Sequence, residues 1–254
     1  MSTLDWHRHV SLVVYLAGCN LHCPYCHNSP LIPSQSGKEV DIEYIDTRIE
    51  LMESYIDSVV VCGGEPTLQP KAVAEIVGVA KEWGMKVMVN TNCLLPDVVD
   101  TLLELPIDAI SLDTKRDHLV EFNRTLDVCQ KYDVEKEVRT TVVPTLTDGP
   151  AFVTMVSSMI RGRCDSYFLQ QFDNLGDVLD PRFKEMAPPS RSDMLRLGVV
   201  AKKQGVENVL VRTKEHGVER IDKRTQVIEP HKRKKKGGRR KSVEVSGYVR
   251  RRLR

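Results

Sequence analysis

The sequence predicts an α/β protein built on a parallel sheet. Three observations carry that prediction: seven short β-branched apolar runs, segments of helical spacing between them, and unusual polar residues gathered just after the runs. Strand followed by helix, repeated about six times, means parallel strands joined by crossovers. An open doubly wound sheet and a barrel, complete or partial, both satisfy this pattern, and periodicity does not separate them.

The runs are Val10 to Leu16, Ser58 to Cys62, Lys86 to Val89, Ala109 to Leu112, Val138 to Val143, Tyr167 to Leu169 and Asn208 to Val211. They are nearly continuous rather than alternating, which predicts strands buried on both faces. Between them, Ile42, Ile45, Ile49 and Met52 share one helical face, as do Val73, Ile76, Val77 and Ala80. The same spacing recurs in Leu119, Phe122, Leu126 and Cys129, and in Phe152, Met155, Val156 and Met159. Pro70 and Pro150 suit first-turn positions, and Gly84 and Gly205 suit the residue after a helix end. Ser192 to Gln204 predicts a further helix. Residues that follow parallel strands fall on one face of the fold, where such folds build sites. Cys19, Cys23 and Cys26 follow the first run, Gly63-Gly64-Glu65 the second, Asn90-Thr91-Asn92 the third, Asp113 and Lys115 the fourth, and Gln170-Gln171 the sixth.

The charge divides the chain. Its 254 residues hold 37 Lys and Arg against 35 Asp and Glu, yet residues 230–254 carry 12 basic residues and one acid, Glu244. That segment is therefore +11, and residues 1–229, with 25 basic and 34 acidic residues, are −9. The strand and helix pattern stops near Thr213, which predicts a folded body over 1–213 and a disordered, mobile basic extension over 214–254. The extension suits a nucleic acid or an acidic partner surface, although Tyr248 is its one aromatic residue for base stacking. No run of 18 apolar residues is present, so no membrane span is expected. Val10 to Ala17 ahead of Cys19 has some likeness to a lipoprotein processing site, against which stand Asp5 and the shortness of the run. Seven cysteines, three of them within eight residues, make a poor disulfide framework and point to a reducing cytoplasm.

The loop from Gly18 to Asn28 carries Cys19, Cys23 and Cys26 at CxxxCxxC spacing, and four readings compete for it. Cys23-Pro24-Tyr25-Cys26 after a strand fits a thiol-redox pair, which leaves Cys19 superfluous. Cys23 to His27 fits covalent haem attachment, which requires export. Three thiolates with His22 or His27 can close a structural zinc site, although one loop then supplies every ligand. Three thiolates can also hold three irons of a 4Fe-4S cube and leave the fourth iron open to a ligand.

Together with Val59 to Pro66, whose glycine-rich Gly63-Gly64-Glu65-Pro66 turn lies one βα unit later, the cysteine loop resembles the radical S-adenosylmethionine superfamily. Val10 to Leu16 running into the loop, Cys26-His27-Asn28, Thr91-Asn92, Asp113-Thr114-Lys115, Arg139 to Pro144 and Gln170-Gln171-Phe172 are similar to its activating enzymes of glycyl-radical proteins. The likeness covers about residues 4–213 and implies a partial (β/α)6 barrel. Family members often carry Pro-Gly where this chain has His7-Arg8, and Thr-Asn-Gly where it has Thr91-Asn92-Cys93.

The resemblance implies one 4Fe-4S cluster held by Cys19, Cys23 and Cys26, with S-adenosylmethionine chelated at the open iron. The cofactor-binding residues it implies are Tyr25, Gly63, Gly64, Glu65, Asn92, Asp113, Lys115 and Arg139. Tyr25 would sit near adenine or seal the loop from water. Gly63 and Gly64 would bring backbone close to the ligand, with Glu65 meeting the methionine ammonium. Asn92, Asp113, Lys115 and Arg139 would hold its carboxylate or ribose, or make structural hydrogen bonds. Gln170 and Gln171 alternate, so at most one faces inward. Reductive cleavage of S-adenosylmethionine would end in a glycyl radical on a partner, an anaerobic ribonucleotide reductase being the expected one. An external one-electron donor such as ferredoxin or flavodoxin is implied, because Cys62, Cys129 and Cys164 lack the spacing for a second cluster. A radical enzyme acting on tRNA or a small molecule is the alternative, and a zinc or thiol-redox protein the more distant one.

Overall fold

A computed structural model describes residues 1–176, 178–222 and 225. Eight strands form one sheet in chain order: β1 (Ser11–Leu16), β2 (Ser58–Gly63), β3 (Lys86–Thr91), β4 (Ala109–Asp113), β5 (Glu135–Val142), β6 (Ser166–Gln171), β7 (Val209–Thr213) and β8 (Gly217–Ile221). The first seven pair in parallel and β8 pairs antiparallel with β7. β1 and β8 are the two ends of this order, so the barrel is partial.

The helices are α1 (Ile42–Glu50), α2 (Pro70–Glu82), α3 (Pro96–Leu102), α4 (Leu119–Cys129), α5 (Pro150–Ile160), α6 (Pro181–Lys184) and α7 (Arg191–Lys203). Pro70 and Pro150 open α2 and α5, and Gly84 and Gly205, at φ +67° and +89°, follow α2 and α7 in the left-handed region that glycine enters without penalty. Ser190 caps α7 in a reciprocal capping box with Asp193.

Side-chain alternation sorts the strands into two faces. Val59 and Val61, Val87 and Val89, Ile110 and Leu112, Val138 and Val142, Tyr167 and Leu169, and Val209 and Val211 join the main core with the helices. Apart from Thr140, which shares the outer face with Val138 and Val142 and hydrogen-bonds to the Tyr167 hydroxyl (2.9 Å), the residues between them point inward. On this side Val60, Cys62, Met88 and Ala109 pack with Trp6, which the N-terminal segment inserts at 2% exposure. A bridge between Ser2 and Ser11 returns that segment onto β1.

Two expectations are corrected. Burial on both faces fails for β1, where Val13 to Leu16 are only partly covered and Tyr15 is exposed, because β1 has one neighbour, β2. The pattern does not stop at Thr213: residues 214–222 contain β8, whose Gly217-Val218-Glu219-Arg220-Ile221 is a short edge strand with Ile221 as its one buried residue. The basic stretch 230–254 lies outside the described residues.

Candidate active site

The last inward residue of each parallel strand lines one cavity of about 360 Å³ at the carboxyl ends: Tyr15, Cys62, Asn90, Asp113, Thr141, Gln170 and Arg212. Two-residue alternation places them there. The loops that follow add Cys19, Cys23, Tyr25, Cys26, Gly63, Gly64, Glu65, Asn92 and Lys115 to its wall, and Arg139 lies one inward step deeper on β5. All eleven residues expected at the site therefore line the same cavity. Gln170 faces it, whereas Gln171 turns away, donating to the Pro189 carbonyl (2.8 Å) and accepting from the Lys214 amide (2.8 Å).

Backbone holds the cysteine loop. The Gly18 amide donates to the Leu31 carbonyl (2.7 Å) and the Cys19 amide to the Ile32 carbonyl (3.0 Å), closing the loop on itself. The Gly64 amide donates to Leu16 (2.8 Å) and the Glu65 amide to Gly18 (2.8 Å), laying the β2 turn directly on the β1 turn. This contact explains the two glycines. A Cβ at Gly63 would stand 2.3 Å from the Leu16 carbonyl oxygen, and one at Gly64 would stand 2.0 Å from that of Gly18. The close approach expected toward a ligand is thus also an approach of the chain to itself.

Glu65 is 1% exposed, and its carboxylate is turned onto the β3 turn. Oε1 accepts from the Thr67 hydroxyl (2.6 Å), the Thr67 amide (3.1 Å) and the Thr91 hydroxyl (2.8 Å), and Oε2 accepts from the Asn92 amide (2.7 Å). Burial still raises its pKa against these four donors. In this arrangement Glu65 ties β2 to β3 rather than reaching for a ligand. Asn92 extends the tie, its Nδ2 donating to Asn20 Oδ1 (2.7 Å) and lying 4.0 Å from Cys19 Sγ. Cys93 has φ +68° and a fully buried side chain in the outer core. Its position favours glycine for the backbone angle, and its side chain does not intrude on the cavity.

Tyr25 packs 6.4 Å from Phe183 in a small apolar cluster with Val143, Phe172 and Val178, and burial pushes its phenol up to about 12. The Asp180 amide donates to the Pro24 carbonyl (2.9 Å), so the segment around α6 clamps the cysteine loop from outside. This clamp, like the inward positions of Thr141 and Arg212, was not foreseen from sequence. The register does mark Arg212: it is a basic residue at an inward strand position.

Charges alternate around the cavity. Burial opposes the charge of Lys115, but Asp113 (3.3 Å), Tyr25 and Cys23 outweigh it and raise its pKa. Burial raises the Cys19 and Cys26 thiols, with Lys115 opposing. Deeper, Arg139 pairs with the buried Glu137 and donates to the Asp5 carbonyl, closing the floor. His22 and His27 are exposed, and His27 Nδ1 lies 3.4 Å from the Leu175 carbonyl oxygen. Among the described residues, no three His, Cys, Asp or Glu side chains converge on a point where one metal ion would be held. A 4Fe-4S cluster does not require the three thiolates to meet at one point, because each ligates its own iron.

The signature of the radical SAM superfamily matches residues 13–150, which contain the cysteine loop, the glycine turn and the ends of β3, β4 and β5. A protein of Methanocaldococcus jannaschii assigned as a glycyl-radical enzyme activating enzyme is 35% identical over 84% of this chain and 93% of its own. Pyruvate formate-lyase 1-activating enzyme of Escherichia coli is 26% identical over 77% of this chain and 90% of its own. The crystal structure of Streptococcus suis SuiB bound to S-adenosylmethionine shares the fold with a TM-score of 0.61 at 14% identity, covering 80% of this chain and 50% of that one. The chain thus spans about half of SuiB. Among the described residues, no helix is long and apolar enough to cross a membrane. The chain belongs to the radical SAM superfamily, among its glycyl-radical enzyme activating enzymes, and so is an enzyme that works with a 4Fe-4S cluster and S-adenosylmethionine.

Proposed function

We propose that this enzyme places a glycyl radical on a partner protein, an anaerobic ribonucleotide reductase being the first candidate. The observation that carries the reading is the near full-length match to an assigned activating enzyme, with the eleven expected residues gathered on one cavity. When bound, the reduced cluster and S-adenosylmethionine supply a carbon-centred radical able to take a hydrogen atom from a glycine Cα.

The chain's own residues have separable tasks in this proposal. Cys19, Cys23 and Cys26 hold the cluster, and Lys115 offsets part of the thiolate charge. Tyr25, backed by Phe183, excludes water from the loop and keeps its shape. Asn92, Asp113 and Lys115 offer polar atoms to the amino-acid end and ribose of S-adenosylmethionine, while Gly63, Gly64 and Glu65 set the wall behind it. Arg139 with Glu137 fixes the floor. Residues 1–213 with β8 form the catalytic unit, and the basic stretch offers a nucleic acid or an acidic partner a charged surface. A ferredoxin or flavodoxin of the reducing cytoplasm supplies the electron.

Anaerobic incubation with a candidate reductase and with pyruvate formate-lyase, read by electron paramagnetic resonance, tests this. A protein-centred glycyl signal in one of them is expected. No protein radical in either, together with modified tRNA, would replace this reading with nucleic-acid modification.

A further inference from the structure

A second hollow, of about 950 Å³, lies on the outside of the barrel between α5 and α7. Val142, Pro144, Pro150, Pro189, Val199 and Val200 make its wall apolar. Its charges are ordered: Lys203 stands at the end of α7, Arg196 near the middle, and Asp193 and Asp148 at the starts of α7 and α5. Thr225 lines this groove as well. It closes a turn after β8, its amide donating to the Asp222 carbonyl (3.3 Å) while the Asp222 amide donates to Thr225 Oγ1 (3.0 Å). β8 ends with Ile221 paired to Val209, the first residue of β7, and α7 finishes at that same end of the barrel. The chain therefore comes to the groove from its Lys203 end.

An apolar groove gains free energy when apolar side chains cover it. The sequence after Thr225 supplies two of them at once: it reads Gln226-Val227-Ile228-Glu229-Pro230-His231, and the basic run starts at Lys232. The next aliphatic side chain is Val243. Extended chain covers about 3.3 Å per residue, so Val227 and Ile228 stay within about 10 Å of Thr225, over the apolar wall. The 13 residues of α7 make a helix about 20 Å long, which six or seven extended residues match. A ninth strand on the open edge of β8 would instead carry the chain away from α5 and α7, with which Thr225 lies.

We propose that residues 226–230 pack along this groove, with Val227 and Ile228 on its apolar wall. Glu229 then comes to Arg196, and the first bases, Lys232 and Arg233, come to Asp193 and Asp148. The groove follows α7 from the amino to the carboxyl ends of the parallel strands. A segment docked in it delivers the +11 stretch of residues 230–254 beside the face on which the site opens, although β8 ends on the opposite face.

The test is photo-crosslinking of the full-length, cluster-loaded enzyme with p-benzoylphenylalanine in place of Ile228. Adducts within one chain are expected on residues 142–150 or 188–203, located by mass spectrometry after digestion. Val200→Arg, which sets a charge on the apolar wall, should lower their yield by about five-fold or more. Val200 also touches the core, so thermal unfolding supplies a second reading that leaves the wall intact. Ile228→Asp should lower the unfolding midpoint by about 2 to 4 °C, and Val243→Asp, past the end of the groove, should leave it unchanged. Adducts on β8, showing a strand added to its edge, or adducts between two chains, showing an interface between copies, would overturn the inference. So would an absence of adducts, a yield that Val200→Arg leaves unchanged, or equal midpoints for Ile228→Asp and Val243→Asp.

Discussion

The turns after β2 and β3 lie side by side, joined by Glu65, and each carries a position where the family favours glycine. Their physical demands differ. At Gly63 and Gly64 there is no room: a Cβ would enter the backbone of Leu16 and Gly18. At Cys93 the backbone takes a left-handed angle of +68°, yet the side chain has a place in the outer core. Arg8 repeats the second case at φ +72°, with an exposed side chain. Of the three non-glycine residues at positive φ among the described residues, two fall at these departures from the family pattern. A motif glycine can thus stand for space or for angle, and only the first excludes every other residue.

The substitution with the largest expected effect is Gly64→Ala. Its methyl group cannot avoid the Gly18 carbonyl without separating the two turns, so a loss on the order of 4 kcal/mol or more is expected. Thermal unfolding and iron content after anaerobic reconstitution should fall together. Next is Glu65→Gln, which turns an NH₂ toward hydroxyl and amide donors now served by a carboxylate. About 3 kcal/mol is expected, read from denaturant unfolding, with both turns losing protection from hydrogen exchange. Tyr25→Ala, which empties the contact with Phe183, should cost about 2 to 3 kcal/mol and speed loss of absorbance from the loaded cluster in air. Smallest is Arg8→Gly. Relief of the left-handed backbone outweighs the added freedom of the unfolded chain, so a gain of about 1 kcal/mol or less is expected. Cys93→Gly should be close to neutral, because the same relief is offset by lost burial.

Much of this comparison was legible in the sequence. All seven parallel strands lie where apolar runs place them, and for β2 to β7 the reason is cover by helices on one face and by the barrel interior on the other; β1 is apolar although its second half is only partly covered. The convergence of the strand-end residues on one face followed from strand order alone. What escaped was contact made at a distance or by short elements. Helix α3, over Pro96–Leu102, spans too few turns to establish a period. The clamp of Tyr25 by Phe183 joins residues 158 positions apart in a chain segment without periodicity. Glu65 sits in a recognisable motif, but its four donors come from Thr67, Thr91 and Asn92, and only the fold brings the last two near. Arg212 was hidden because a basic residue at the end of a strand usually faces solvent, and its inward direction depends on register with Gln170.

The proposed reaction is hydrogen-atom transfer from a glycine of a protein partner. Its most direct test is anaerobic turnover with the partner protein biosynthetically labelled with glycine deuterated at Cα. The 5'-deoxyadenosine recovered from the reaction is expected to carry one deuterium, and the doublet of the protein radical to collapse relative to the unlabelled partner. Unlabelled 5'-deoxyadenosine, formed at the same rate with or without the partner and with no protein radical, would contradict it.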